Sequence, residues 1–190
     1  MKTLWQAFRI LVWLTIVTGL AYPLAMTALS QWLFPKQANG SLLERDGRVV
    51  GSALLAQRFD DPRFFHPRPS ACDYQTIPSG ASNQGPTSLN LRDQITTRAA
   101  ALLAEGAKAP IPPDLLTASG SGLDPHISPQ AARFQMERVV KARKLSAAQK
   151  ERLAELIARQ TEPPQFGIFG EPRVNVLLLN LDLDRLSSLP

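Results

Sequence analysis

One cysteine, Cys72, and two histidines, His66 and His126, are the whole supply of thiol and imidazole in this 190-residue chain. An internal disulfide is therefore impossible, and any folded domain rests on packing alone. No CxxC, HExxH or GxxxxGK[ST] stretch occurs, which removes thiol redox pairs, zincin-type metal sites and the phosphate-binding loop. No serine is followed three residues later by lysine. The nearest approach to a GxSxG elbow is Gly80-Ala81-Ser82-Asn83-Gln84, which lacks the closing glycine and sits in a Pro/Gly-rich loop. Two histidines among scattered carboxylates give no metal-ligand spacing. One catalytic alternative stands: a membrane-tethered hydrolase using His126 with Asp124 or Asp114 and a serine of the Ser119–Ser121 loop. Against it, Asp124-Pro125 suits a turn, Ser128 suits a helix cap, and His126 between them serves loop backbone groups.

A basic stripe is also missing. The formal net charge is +5, but residues 1–36 hold Lys2, Arg9 and Lys36 with no acidic residue. The remainder is nearly balanced, without aromatics interleaved among its basic residues, so a nucleic-acid partner is not expected.

What the chain does have is a long uncharged run, from Ile10 through Pro35, bounded by Arg9 and Lys36. As a helix it would extend about 39 Å, more than the roughly 30 Å of a bilayer core. A cleavable leader is the rival reading, with Lys2 and Arg9 as its basic start and Ala28-Leu29-Ser30 as its cleavage site. Leader cores are shorter, however, and here apolar character continues to Phe34. The expected organisation is a cytoplasmic N-terminus at 1–9, a transmembrane helix at 10–34 and an extracytoplasmic domain at 35–190. The orientation follows from the positive charge before the span. Trp5 and Trp32 fit interfacial anchors. Gly19 and Tyr22-Pro23 interrupt the apolar run; Pro23 removes a backbone donor and is expected to kink the helix. Gly19, Ala21, Ala25 and Ala28 permit close approach of a neighbouring helix.

Beyond the span, residues 41–57 read as a β-hairpin turning at Asp46-Gly47. Residues 60–90 carry five prolines with several Gly, Ser and Asn, an ordered irregular loop. Ser88–Ala104 has helical spacing in Leu91, Ile95, Ala99 and Leu102. Residues from Ala107 to Asp124 are again Pro- and Gly-rich. Ser128-Pro129 opens a helix to about Lys144, and Ser146-Ala-Ala-Gln149 is a capping box for another, with Leu153, Leu156 and Ile157 on one face. Arg173–Asp182, RVNVLLLNLD, reads as a strand buried on both faces. The expected fold is α+β: one N-terminal transmembrane helix, then a mixed soluble domain with a hairpin, about three helices and a late buried strand. Cys72 is expected as a small buried residue.

The wording of the loops carries a further signal. Tyr22-Pro23-Leu24, Phe34-Pro35, Gln37-Ala38-Asn39-Gly40-Ser41-Leu42 and Gly51-Ser52-Ala53-Leu54 come first. Then follow Gln57-x-Phe59, Phe65-x-x-Arg68-Pro69-Ser70-Ala71 and Ser79-Gly80-x-Ser82-Asn83. The series closes with Thr117-Ala118-Ser119-x-Ser121-Gly122-Leu123-Asp124, Ile127-x-Pro129-Gln130-Ala131-Ala132, Arg138-Val139, Val174-Asn175-Val176 and Leu179-Asn180. In this order and spacing the chain resembles the C subunit of the Kdp potassium-transporting ATPase along nearly its whole length.

The resemblance implies a non-catalytic subunit of a high-affinity potassium pump in a bacterial inner membrane. Its implied partners are a channel-like potassium-translocating subunit, a P-type ATPase subunit, a small single-span subunit and membrane lipid. The complex would carry K+, and the subunit would raise the pump's ATP affinity as a catalytic chaperone; no cofactor is assigned to this chain. The absence of an Asp-Lys dipeptide agrees, since the phosphorylated DKTGT motif of a P-type pump cannot be here. A domain outside the cytoplasm would act on ATP affinity only through subunit contacts; direct contact requires the domain to face inward. Candidate partner-interface residues are Gly19, Tyr22, Pro23, Gln37, Asn39, Gly40, Arg68, Ser70, Ser79, Gly80, Asn83, Ser119, Ser121, Gly122 and Asp124. For the loop residues the competing reading is turn geometry within the fold.

Overall fold

The computed structural model describes residues 1–106 and 108–187, in two compact units that divide after Val50. Residue 107, and with it the start of the second Pro/Gly-rich stretch, lies outside the described residues.

The first unit is dominated by one continuous helix, Lys2–Leu33, long and apolar enough to cross a membrane and with none of that window buried. It comprises α1 (Lys2–Ile16), a π-helical turn (Val17–Ala21) and α2 (Tyr22–Leu33). A proline ring clashes with the carbonyl four residues before it, here that of Gly19. The chain meets this by widening: the Tyr22 N–H reaches back five residues to the Val17 carbonyl. The expected irregularity at Pro23 is thus a π turn just ahead of it, a common way for a helix to accommodate such a break. Below Pro23, Thr27 Oγ1 donates to the Pro23 carbonyl at 2.8 Å.

A short helix α3 (Pro35–Ala38) ends in Asn39 and Gly40, the latter at φ +83°. The strands β1 (Leu42–Arg45) and β2 (Arg48–Ser52) form the expected hairpin. Asp46 and Gly47 have φ of +53° and +73°, the pair of positive angles that a type I′ turn requires. The second strand stops at Ser52, five residues short of the expected end.

In the second unit, α4 (Leu89–Ala104) falls where its apolar spacing predicts, and α5 (Pro129–Arg143) and α6 (Ala147–Arg159) fall where their caps predict. Ser88, Ser128 and Ser146 each accept a backbone N–H at the third helical position. Gln149 closes the capping box, and Lys144 ends α5 in the left-handed conformation. A three-stranded sheet of order β3-β5-β4 is built from very short strands: β3 (His126–Ile127), β4 (Thr161–Glu162) and β5 (Arg173–Asn175). Both pairings are antiparallel, with Val174 opposite Ile127 and Thr161.

The late strand therefore exists but ends at Asn175; Val176–Ser187 is a fourth helix, α7, correcting the ten-residue strand. An apolar run buried on several sides does not distinguish the two structures by periodicity. What decides is Asn175, whose side-chain oxygen accepts the Leu178 N–H at 3.2 Å and so caps the helix. Val176, Leu179 and Leu183 then recur on one buried face. With Ala131, Ala132 and Val139 of α5, Leu153, Leu156 and Ile157 of α6, and Phe65 from the loop, they form one hydrophobic core.

Candidate functional site

The loop 57–86 contains no helix or strand, so side chains must satisfy its backbone. Two amides do so at consecutive residues. Asn180 accepts from Phe65 N at 2.8 Å and donates to Phe65 O at 2.9 Å; Gln135 does the same for His66 at 2.8 and 3.0 Å. Each mimics a β partner, pinning the loop to α7 and α5. The chain enters the segment 68–74 already oriented.

There Ser70 organises a tight turn. Its hydroxyl accepts the N–H groups of Cys72 (3.2 Å) and Tyr74 (2.9 Å), while Tyr74 donates its phenol to the Arg68 carbonyl at 2.9 Å. Burial pushes the Tyr74 phenol up to about 12. The Cys72 thiol lies 3.4 Å from the Ser70 hydroxyl, and hydrogen bonds from that hydroxyl and from the Gly80 backbone hold its pKa below the usual thiol range. Cys72 is half-buried rather than a core residue.

The loop 117–125 closes on this turn. Ser119 N donates to the Pro69 carbonyl at 3.0 Å, and Ala56 N donates to the Leu123 carbonyl at 2.9 Å. At the centre is Gly122, with φ +72°. A Cβ there would stand 2.5 Å from Cys72 Sγ, 2.9 Å from the Gly80 carbonyl oxygen and 3.3 Å from Ser70 Oγ. Two turns of the loop 57–86 and the distant loop 117–125 thus meet at one position where only a hydrogen atom fits.

Beside it, Arg68 Nη1 donates to Asp124 Oδ2 at 3.2 Å, while Oδ1 accepts the His126 N–H at 3.0 Å and lies 3.6 Å from His126 Nδ1. Partial burial raises the Asp124 pKa, but the hydrogen bonds from His126 and the Arg68 charge outweigh it and hold the carboxyl below its ordinary range. Arg68 Nε is buried with no hydrogen-bond partner among the described residues. The pair borders an open cleft of about 540 Å³, also lined by Asp114, Gln130 and Arg173. Pro125 O accepts the Val176 N–H at 2.9 Å, so the loop is fastened to the start of α7.

Of the residues singled out in sequence, Arg68, Ser70, Gly80, Ser119, Gly122 and Asp124 are brought together here. Ser121 belongs to the same loop, its hydroxyl accepting the Leu123 N–H at 3.1 Å. Ser79 precedes Gly80, and Asn83 follows at φ +52°. The others lie in the first unit. Gly19 is inside the π turn, with Tyr22 and Pro23 directly after it. Asn39 exchanges amide hydrogen bonds with Gln31 at 3.0 and 3.3 Å, and the Gln37 carbonyl accepts the Gly40 N–H at 3.0 Å. Sequence reasoning missed Tyr74, Gln135 and the clamping role of Asn180; an asparagine inside an apolar run was the available signal, since buried amides are held for their hydrogen bonds.

Of the residues named for the hydrolase alternative, Asp124 does stand beside His126, 3.6 Å from Nδ1. Asp114 accepts the Ser128 N–H at 2.7 Å, and among the described residues no serine hydroxyl bonds to the His126 ring. No group of three metal-binding side chains occurs among the described residues either. The geometry suits a rigid surface of backbone groups and small polar side chains with one ion pair at its edge.

Comparison with known proteins bears on what that surface belongs to. The family model for KdpC, the K+-transporting ATPase, c chain, matches residues 4–185. The potassium-transporting ATPase KdpC subunit of Burkholderia vietnamiensis is 56% identical over 176 residues, covering 90% of each chain. That of Rhodospirillum rubrum is 54% identical over 188 residues, covering 97% of this chain and 96% of its own. That of Methylococcus capsulatus is 54% identical over 182 residues, covering 93% and 94%. The chain belongs to the KdpC family of K+-transporting ATPase c chains.

Proposed function

We propose that the chain is a non-catalytic accessory subunit of a potassium-transporting ATPase in a bacterial inner membrane. The helix Lys2–Leu33 crosses the membrane with its N-terminus in the cytoplasm, and the α+β domain lies on the periplasmic side. Gly19, Tyr22 and Pro23 pack against membrane helices of other subunits. Gln37, Asn39 and Gly40 with the convergent loops from Arg68 to Asp124 dock the channel-like subunit that carries K+. The P-type ATPase subunit and a small single-span subunit complete the assembly.

The observation that carries this reading is the convergence at Gly122. The domain invests its irregular loops in a fixed surface rather than in a catalytic constellation, and a fixed surface suits docking because little ordering entropy remains to be lost on association. An effect on ATP affinity then acts indirectly. Binding energy at the periplasmic face and along the helix biases the pump between states of different nucleotide affinity, and by linkage nucleotide must bias the docking in return.

The test is purification of the complex from membranes with and without this chain. The chain is expected to copurify with a multispanning channel subunit and a P-type ATPase, and its loss to raise the KM for ATP in potassium-stimulated hydrolysis. Unchanged assembly and an unchanged KM in its absence would overturn the reading.

A further inference from the structure

The connection between β4 and β5 carries a feature the fold does not use. From Pro163 through Gly170, PPQFGIFG, there is no ionisable side chain. Phe166, Ile168 and Phe169 are 83%, 78% and 66% exposed. The segment is nonetheless a built turn. Gln165 and Phe169 exchange backbone hydrogen bonds at 2.8 and 2.9 Å, and Gly167 N and Ile168 N donate to the Pro164 and Gln165 carbonyls. Phe166 sits at φ +55°, between Gln165 and a Gly167 at +74°. That left-handed conformation is costly for a residue with a Cβ, and here it projects an aromatic ring into solvent instead of burying it. A rigid, contiguous apolar tip marks either a protein contact or a membrane contact.

Two observations favour the membrane. The three side chains together offer roughly 500 Å² at most, short of the about 800 Å² per partner that a stable protein interface buries. The covalent geometry supplies the rest: only residues 34–50 separate the apolar helix from the second unit. Even fully extended, that link reaches no more than about 60 Å. A domain confined so close to a bilayer needs no recruitment, and a small apolar tip then suffices to fix its orientation. Just behind the tip, the exposed ion pair of Arg173 and Glu162, at 2.9 Å, matches the zwitterionic headgroup zone in carrying both signs.

We infer that the Phe166–Phe169 tip dips into the lipid interface of the membrane that the chain's own N-terminal helix crosses, setting the tilt of the domain. This rests on the membrane-anchored reading above, and the experiment separates the two. The full-length chain, in its complex, is reconstituted into vesicles of phosphatidylethanolamine and phosphatidylglycerol in a Cys72→Ser background. A nitroxide is attached at Ile168→Cys, and separately at Phe169→Cys, at Ala148→Cys on the exposed face of α6, and at Leu14→Cys in the helix. Collision with oxygen, which concentrates in lipid, is compared with collision with a water-soluble nickel chelate.

The tip labels are expected to show an oxygen-to-nickel ratio severalfold above that at 148 and on the side of that at 14. Adding Phe166→Ser should lower the ratio at 168 severalfold while leaving that at 14 unchanged. Tip labels as open to nickel as the label at 148, with the label at 14 in lipid, overturn the inference alone. Tip labels immobilised and shielded from both reagents mean a protein contact and overturn it in favour of a partner. A label at 14 open to nickel removes the anchored reading and the inference with it.

Discussion

The side-chain amide of Asn180 completes both backbone hydrogen bonds of Phe65, a residue 115 positions earlier in the chain. Asn180 is 2% exposed and Phe65 fully buried, so no water stands ready to replace either bond. Replacing Asn180 with Leu leaves a buried donor and a buried acceptor unpaired, at about 1–3 kcal/mol each. The expected result is a drop of about 2–5 kcal/mol in unfolding free energy by urea titration of the detergent-solubilised chain. Asn180→Asp keeps the acceptor but buries a charge against the Phe65 carbonyl, and is expected to lose at least as much.

Gly122 and Gly80 give opposite expectations although both belong to the convergent loops. Gly122→Ala forces a Cβ into Cys72 and the Gly80 carbonyl at a positive φ. A loss of about 2 kcal/mol or more should follow, with a lower thermal midpoint and release from the complex. At Gly80 an added Cβ meets nothing within 4 Å. Gly80→Ala should change stability by less than about 0.5 kcal/mol. Copurification of Gly80→Ala with the other subunits therefore reads docking without a folding effect.

His66 sets a pH dependence whose sign can be worked out. Burial lowers its pKa below the ordinary 6.5, and the charge of Arg138 adds to this; Arg138 Nη1 lies 3.3 Å from His66 Nε2. The unfolded chain therefore takes up a proton that the folded chain refuses. Stability from this group is complete above 6.5 and is lost as pH falls through the folded value. The urea midpoint of the native protein should decline as pH falls below 6.5, and His66→Gln should flatten that decline. Asp124 is also depressed, so its contribution disappears at lower pH, below its ordinary value of 3.8.

Cys72 offers a direct reading of topology. Its thiol is half-buried, and the Ser70 hydroxyl and Gly80 N–H favour the thiolate. A membrane-impermeant maleimide added to spheroplasts is expected to label it from outside. Labelling only after the inner membrane is opened would place the domain in the cytoplasm and revive direct contact with nucleotide.

The elements that could be read from sequence are those whose signals are local. Ser128 and Ser146 announce their helices within four residues, the spacing of Leu91, Ile95, Ala99 and Leu102 announces α4, and Asp46-Gly47 announces its turn. The long apolar helix needs only composition. The late helix α7 is not legible in the sequence, because its run of Val and Leu fits either structure and the deciding cap, Asn175, resembles any other polar residue in a strand. The candidate site was half legible. Its residue types stood out, but their meeting at Gly122 depends on Asn180 and Gln135, which act across 115 and 69 residues. The apolar tip at Phe166 has no signal of its own in the sequence, because exposure, not composition, is what makes it unusual.

The π turn at Val17–Ala21 has a consequence for the whole span. One additional residue in a turn rotates everything beyond it by about 100° relative to a straight α-helix. A stripe of small residues traced at helical spacing from Gly19 to Ala25 and Ala28 is therefore out of phase with one traced through Leu4, Leu11 and Thr15. The two halves address different directions around the axis, so one helix can wedge between two neighbours instead of lying along one. Deleting a single residue within Val17–Ala21 would realign the halves, and with them the choice of neighbour, without altering hydrophobicity or length enough to disturb insertion.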